Sequence, residues 1–400
     1  NPTPALLAIV LAASPAFAQS AAVDPAKLKA IPERMQKFVD DGELAGAVTV
    51  VGRADGVLAL DAVGFANLET KSPMDKNSLF RIASMTKPMT CLAVMMLADE
   101  GKLNPDDPVE KYLPEFKGQM VVAAKDKDSV TLKKPSRPIQ IRDLMTHTSG
   151  LPTYPAGIAD VYSKRNRTLA DTTLVISQRP LDFEPGSKWS YCNPGIDTLG
   201  RIVEVVSGES FAAFMQKRLF DPLKMSDTTF FPTPEQAKRI PVCYGQGKDG
   251  KLAPSTGMVV DYVADGKHPI PAGGLFSTAA DVASLYRCLL NKGQLDGKRV
   301  ISEKALAEMT KVQTGDLTAG FTNGMAFGYG FAVVKTPTGV TEMLSPGSFG
   351  HGGAFGTQSW ADPGQDLFCI LLIQRTGLKN GDASEMRKEL QRLAVAAIKK

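Results

Sequence analysis

The sequence predicts an α+β fold whose strands come from both ends of the chain and whose middle is helical. Three observations predict it. A hairpin signature lies near each end, around Asp55-Gly56 and around Asp362-Pro363-Gly364, and helical hydrophobic spacing is concentrated between them.

The elements follow in order. The apolar start of the chain leads into Ala16-Phe17-Ala18 before Gln19, the small-x-small form of a signal-peptidase site. A removable signal over residues 1–18 and a mature chain over 19–400 are therefore expected. The apolar run falls short of the roughly 18 residues that a membrane span requires, and no other segment reaches that length, so no stable membrane anchor is expected after signal removal. Residues 47–64 read as two strands joined at Asp55-Gly56, a dipeptide suited to the positive φ angles of a tight hairpin. Helical patterns cover 88–100, 141–146, 196–207 and 281–291. Residues 349–361 and 367–374 are β-rich runs on either side of Asp362-Pro363-Gly364 and read as a second hairpin. The last segment sets Met386, Leu390, Leu393, Ala394 and Ile398 on one face of an amphipathic helix. If the terminal β regions share one sheet, the middle is an inserted lobe and the cleft between the two is the default place for chemistry. The division is then an α/β lobe over about 25–90 and 300–400 with a helical lobe over about 91–299.

Composition narrows the function classes. The chain has 400 residues, 43% of them hydrophobic, and can bury a substantial core without staples. Its 46 Lys+Arg against 42 Asp+Glu are dispersed, which argues against a nucleic-acid partner. The densest basic stretch, Lys125, Lys127, Lys133, Lys134 and Arg137, is interrupted by Asp126, Asp128 and Pro135 and reads as a solvated loop. Three dispersed histidines, no H-E-x-x-H and no paired cysteines provide little for a metal site, and no cofactor is expected. Cys91, Cys192, Cys243, Cys288 and Cys369 are an odd set without close spacing and read as small buried hydrophobes.

Three short stretches carry chemistry. In Ser84-Met85-Thr86-Lys87 the hydroxyl and the ammonium are three residues apart at a helix start, so they share a face, and the helix N-terminus favours a developing oxyanion. Alone, this tetrapeptide is as readily a surface Ser beside a solvated Lys. Tyr191-Cys192-Asn193 follows Trp189 and precedes a helix. In extended geometry Tyr191 and Asn193 point together toward a cleft while Cys192 faces the core. A phenol near an ammonium has its ionised form favoured and suits a general base, though a Tyr-Asn turn is also common. His351-Gly352-Gly353-Ala354 opens a β-rich run in which glycine lets another backbone or a ligand approach closely, or simply begins a strand.

Taken in this order, S-x-x-K, Y-x-N and a basic-x-Gly strand resemble the serine β-lactamase and penicillin-recognising enzyme superfamily. Its nearest branches are the class C β-lactamases, the D-alanyl-D-alanine peptidases and D-aminopeptidases, and the family VIII carboxylesterases. Phe80 to Ala83, Leu144 to Pro152, Ala272 to Asp281 and His351 to Pro363 extend the likeness over nearly the whole mature chain. The resemblance implies an antiparallel sheet flanked by helices, built from both chain ends, with a mainly α-helical inserted lobe. It implies Ser84 as acylated nucleophile, Lys87 as its activating partner and Tyr191 as general base. Asn193 would bond Lys87 and the acyl part of the substrate, and the N–H groups of Ser84 and Ala354 would form the oxyanion hole. His351, Gly352 and Gly353 are expected beside the substrate, Tyr154 is expected to line the pocket, and 146–152 and 275–281 are read as structural, with Ser277 or Thr278 capping a helix. The departure is His351 where penicillin-destroying relatives usually carry Lys. A neutral imidazole donates a hydrogen bond but anchors an anion weakly, which favours ester or amide substrates without a required carboxylate.

The first reading is an exported serine hydrolase acting on short-chain carboxylic esters, without a nucleic-acid partner. The alternatives are a β-lactamase or D-peptidase with the same mechanism, or a catalytically silent scaffold, against which the intact Ser84, Lys87, Tyr191 and Asn193 argue. An α/β-hydrolase is disfavoured because the chain has no G-x-S-x-G.

Overall fold

Alternate residues of strand β1 (Gly46–Gly52) go to opposite faces of a sheet that is covered on both sides. Val48 and Val50 pack toward the larger core with Phe368, Ile370 and Leu372, whereas Ala47 and Val51 pack toward a second core with Leu367, Cys369 and Leu371. In the computed structural model, which describes residues 22–153, 165–255 and 266–398, β1 forms a hairpin with β2 (Val57–Asn67) through Arg53–Gly56 hydrogen bonds in both directions. The hairpin is where the sequence predicts it, but Ala54 and Asp55 are the central residues of its turn, and neither Asp55 nor Gly56 takes a positive φ.

The main sheet has eight strands, all antiparallel. After β1 and β2 come β3 (Ser72–Pro73), β4 (Met325–Phe327), β5 (Ala332–Val334), β6 (Phe349–Gly352), β7 (Gln358–Asp362) and β8 (Leu367–Leu372). Their spatial order is β4-β5-β6-β7-β8-β1-β2-β3. Val48 pairs with Leu372 and Gly52 with Phe368, so the two chain ends meet in the sheet centre. One correction bears on the site. Residues 349–361 are not one run, because the chain reverses at 353–357 and Gly353 N–H bonds to Thr357 O at 2.8 Å, making β6 and β7 a hairpin of their own.

One face is covered by helix α1 (Pro25–Asp40) and by α5 (Glu385–Ala397), whose ranges frame the chain. Asp24 caps the first of these, its carboxylate accepting from Ala26 N–H, and Pro25 occupies the first turn, where no N–H is missed. The expected apolar stripe of α5 is present in Met386, Leu390 and Ala394, but Arg387 and Gln391 are buried as well, Arg387 lying 3.8 Å above the Trp360 ring. Each Leu, Ile or Phe buried here contributes about 1.5–3 kcal/mol.

The opposite face carries the inserted lobe, whose helices include α2 (Thr86–Asp99), α3 (Asn193–Ser207) and α4 (Ala279–Leu290). Helix α2 is buried nearly all round, which explains its continuous apolar sequence. The lobe is mainly helical but also holds short hairpins, Val121–Lys125 with Val130–Lys133 and Tyr244–Gln246 with Leu252–Pro254. Helix α4, counted with that lobe by sequence position, packs directly on the sheet, and Tyr286 Oη donates to Ser359 O at 2.7 Å. Thr278 is its cap, accepting from Asp281 N–H, while Ser277 Oγ lies 2.7 Å from Thr228 Oγ1. The five cysteines are all buried. Among the described residues no helix is long and apolar enough to cross a membrane. The segment carrying Ala16-Phe17-Ala18 lies outside the described residues.

Candidate active site

Ala83 takes a left-handed φ of 46°, unfavourable for a residue with a side chain, immediately before Ser84. It is held there by its surroundings: Ile82 N–H bonds to Leu275 O, and Phe80 and Arg81 pair with Ser277 and Phe276. The strained residue lifts Ser84 out of the core, so that Ser84 is half-buried while residues 80–83 and 85–90 are fully buried. A single 3-10 turn, Ala83–Met85, then runs into α2.

Lys87 is completely buried in the first turn of α2. Its Nζ donates to Ser84 Oγ at 3.0 Å and to Ala272 O at 2.7 Å, and it lies 4.6 Å from the centre of the Tyr191 ring. Burial pulls its pKa from the usual 10.5 down to about 7, against the opposing charge of Asp197. A substantial neutral fraction at pH 7 makes Lys87 able to accept the Ser84 proton. Asp197 is buried on α3 and its Oδ1 accepts from Ala272 N–H at 2.8 Å, so the Ala272 residue is gripped on both sides by charged groups.

Tyr191 and Ser84 line one pocket of about 260 Å³ with His351, Gly352, Gly353 and Ala354. The structure thus brings together six of the residues singled out in the sequence. Asn193 is not among them. Cys192 is extended (φ −137°, ψ 108°) and buried, as alternation predicts, and the half-buried Asn193 is the first residue of α3. The hydrogen bonds of Lys87 Nζ go to Ser84 and Ala272. Cys192 Sγ caps α3, accepting from Gly195 N–H at 3.4 Å, and burial raises its thiol pKa to about 12. Tyr154 lies outside the described residues.

His351 is buried on β6, and its Nδ1 stands 2.6 Å from Gly352 O. A carbonyl only accepts, so Nδ1 carries the proton and Nε2 keeps its lone pair. Burial and the Lys87 charge lower its pKa to about 4. The imidazole is therefore neutral, as expected, but its one N–H is spent on the neighbouring backbone and is not available to donate to a substrate. Ala354 sits on the β6–β7 turn, and its N–H has no acceptor among the described residues. Gly353 is required there, since a Cβ would come within 2.2 Å of Thr357 Oγ1 and 2.5 Å of Ile82 O.

Several contributors escaped the sequence reading. Ala272, to which the sequence reading gave no role beyond opening the 272–281 likeness, supplies its carbonyl to Lys87. The pocket's outer wall is Phe321 with residues 377–382, tied together by Asn380 Nδ2 donating to Phe321 O at 2.9 Å. Asn380 and Phe321 stand in polar, glycine-punctuated segments with no pattern that marks them. His147 was placed in a turn, yet its ring centre is 4.5 Å from that of Tyr191. Among the described residues, no group of three or more His, Cys, Asp or Glu side chains is arranged to hold a metal ion.

Comparison with known proteins gives this geometry a family. The chain is 29% identical over 381 residues to esterase EstB of Burkholderia gladioli, covering 89% of this chain and 92% of that one. It is 30% identical over 321 residues to an Escherichia coli (strain K12) protein with a provisional D-alanyl-D-alanine carboxypeptidase name, covering 74% and 69% of the two chains. The structure superimposes on EstCE1, described as a hydrolase with promiscuous acyltransferase activity, with a TM-score of 0.75, 25% identity, and coverage of 94% and 99%. The Beta-lactamase family profile matches residues 31–393, and the chain belongs to that family of serine hydrolases.

Proposed function

We propose that this protein is an exported carboxylesterase that acts on short-chain esters through an acyl-enzyme at Ser84. The observation that carries the reading is the 3.0 Å contact of Ser84 Oγ with a lysine whose pKa has fallen to about 7. Ser84 Oγ attacks the ester carbonyl as its proton passes to neutral Lys87 Nζ, and the N–H groups of Ser84 and Ala354 hold the oxyanion. Collapse of the tetrahedral intermediate expels the alkoxide, which takes its proton from the Lys87–Tyr191 pair. Water then attacks the acyl carbonyl, giving up a proton to the same pair, and Ser84 leaves with a proton restored. Two features favour an ester over a substrate with an obligatory carboxylate: His351 is neutral, and the aromatic wall of Tyr191 and Phe321 suits a small apolar acyl group. The names borne by EstB and EstCE1 point the same way. Export rests on Ala16-Phe17-Ala18, and recovery of a periplasmic form beginning at Gln19 is its test.

A β-lactamase or D-peptidase reading keeps the same chemistry and is favoured by the Escherichia coli relative. Turnover of p-nitrophenyl butyrate, nitrocefin and a D-Ala-D-Ala peptide separates the readings. Efficient nitrocefin or peptide cleavage with negligible ester hydrolysis overturns the esterase assignment.

A further inference from the structure

His147 has a left-handed backbone, φ 60°, in the middle of a buried turn, a conformation that glycine or asparagine adopts more easily. Two bonds tie it to the segment that carries Tyr191. Its carbonyl accepts from Ser190 N–H at 2.9 Å, and its Nδ1 accepts from Cys192 N–H at 3.2 Å. The residues immediately before and after Tyr191 are therefore both fastened to one residue. Tyr191's own carbonyl accepts from Thr153 Oγ1 at 3.0 Å, at the far end of the same turn.

The ring contacts add a second constraint. The imidazole is tilted by 43° against the Tyr191 ring with centres 4.5 Å apart, and it meets Phe327 edge-on at 5.5 Å and Trp189 edge-on at 6.3 Å. Because Nδ1 accepts a backbone N–H, the ring proton is on Nε2, and the ring can hold Cys192 only while neutral. Burial first, then the charges of Lys87 and His351, keep its pKa well below the ordinary 6.5.

We infer that His147 is a positioning residue that sets Tyr191 against Lys87 and Ser84 by accepting the Cys192 N–H and packing its ring on the phenol. This rests on the role proposed above for Tyr191. A displacement of the order of 1 Å at such a group can cost about 100-fold in rate, so the inference predicts an effect on kcat with little on KM.

The test is a double-mutant cycle on p-nitrophenyl butyrate, with thermal melts confirming folding. His147→Gly accepts the φ angle and deletes the acceptor, while His147→Asn tolerates the φ angle and sets a carbonyl oxygen near the Nδ1 position. His147→Gly should lower kcat by about 10- to 100-fold with KM changed less than about threefold, and in a Tyr191→Phe background it should cost less than about threefold more. His147→Asn should recover most of the loss. If the glycine variant does not fold, His147→Gln replaces it, because its longer amide mimics Nε2 and not Nδ1. It should behave as a loss that Asn reverses. Equal losses in both backgrounds, a KM effect alone, or Asn no better than Gly or Gln overturns the inference while leaving the proposed function intact. A Tyr191→Phe variant with undiminished turnover overturns the role of Tyr191 and the inference together.

Discussion

Lys87 and Ala272, 185 positions apart in sequence, meet in a 2.7 Å hydrogen bond, and the N–H of Ala272 bonds to Asp197. The lysine is thus held by a carbonyl and a serine hydroxyl inside a fully buried site, with the Asp197 carboxylate near enough to raise its pKa against the stronger desolvation. The catalytic proposal depends on that balance.

Protonation of Lys87 removes the base. Activity should therefore fall on the acid side of about 7, with kcat/KM dropping about tenfold per pH unit well below that value. Asp197→Asn removes the charge that favours protonated Lys87, so the acid limb should move to lower pH. A pH profile of the two proteins on p-nitrophenyl butyrate checks both the position and the direction.

The same shift has a stability consequence. A base whose pKa is depressed by folding destabilises the native state most below its folded pKa, near 7, and this penalty is relieved as pH rises toward the unfolded value of 10.5. Lys87→Met, similar in length and uncharged, should be inactive yet gain on the wild type as pH falls. The difference in Tm between the two should be more favourable to the variant at pH 6 than at pH 9, as read by calorimetry.

Ser84→Ala should leave the fold intact and lower ester turnover by about 1,000-fold or more. Intact-mass spectra should show an acyl or fluorophosphonate adduct on the wild type and none on the variant. Near-native turnover by Ser84→Ala would end the whole assignment of roles.

A Cβ at Gly353 has no room between Thr357 Oγ1 and the Ile82 carbonyl, so Gly353→Ala must displace the turn that presents the Ala354 N–H. Loss of one oxyanion donor elsewhere costs roughly 100- to 1,000-fold in kcat, and a comparable fall is expected here with KM changed much less. Steady-state kinetics on the folded variant are the measurement.

Phe321 is 45% exposed at the pocket mouth, with its ring 5.0 Å from that of Tyr191 and 5.6 Å from that of Trp189. Phe321→Ala removes an apolar wall and not a reacting group. Its KM should rise for butyrate esters more than for acetate esters, by several-fold at about 0.8 kcal/mol per buried methylene, with kcat little altered. An equal loss on both substrates would place Phe321 outside the acyl site.

The parts legible in the sequence were those governed by neighbours along the chain. Asp55-Gly56 marked a hairpin because short polar and glycine residues between two apolar runs favour a tight local turn, and the spacing of Ser84 and Lys87 put both on one helical face. A local signal also misled in one place. The β-rich run 349–361 concealed a reversal, whose Gly353 sits against the carbonyl of Ile82, far away in sequence, where a Cβ has no room. What the tertiary structure alone decided is the chemistry of these residues. Burial, not sequence, brings Lys87 to a pKa near 7, turns His351 into a neutral ring whose N–H is already used, and carries Ala272, Phe321 and His147 to the same spot. Desolvation and contacts between distant segments depend on how the whole chain packs, and no periodicity or short spacing encodes them.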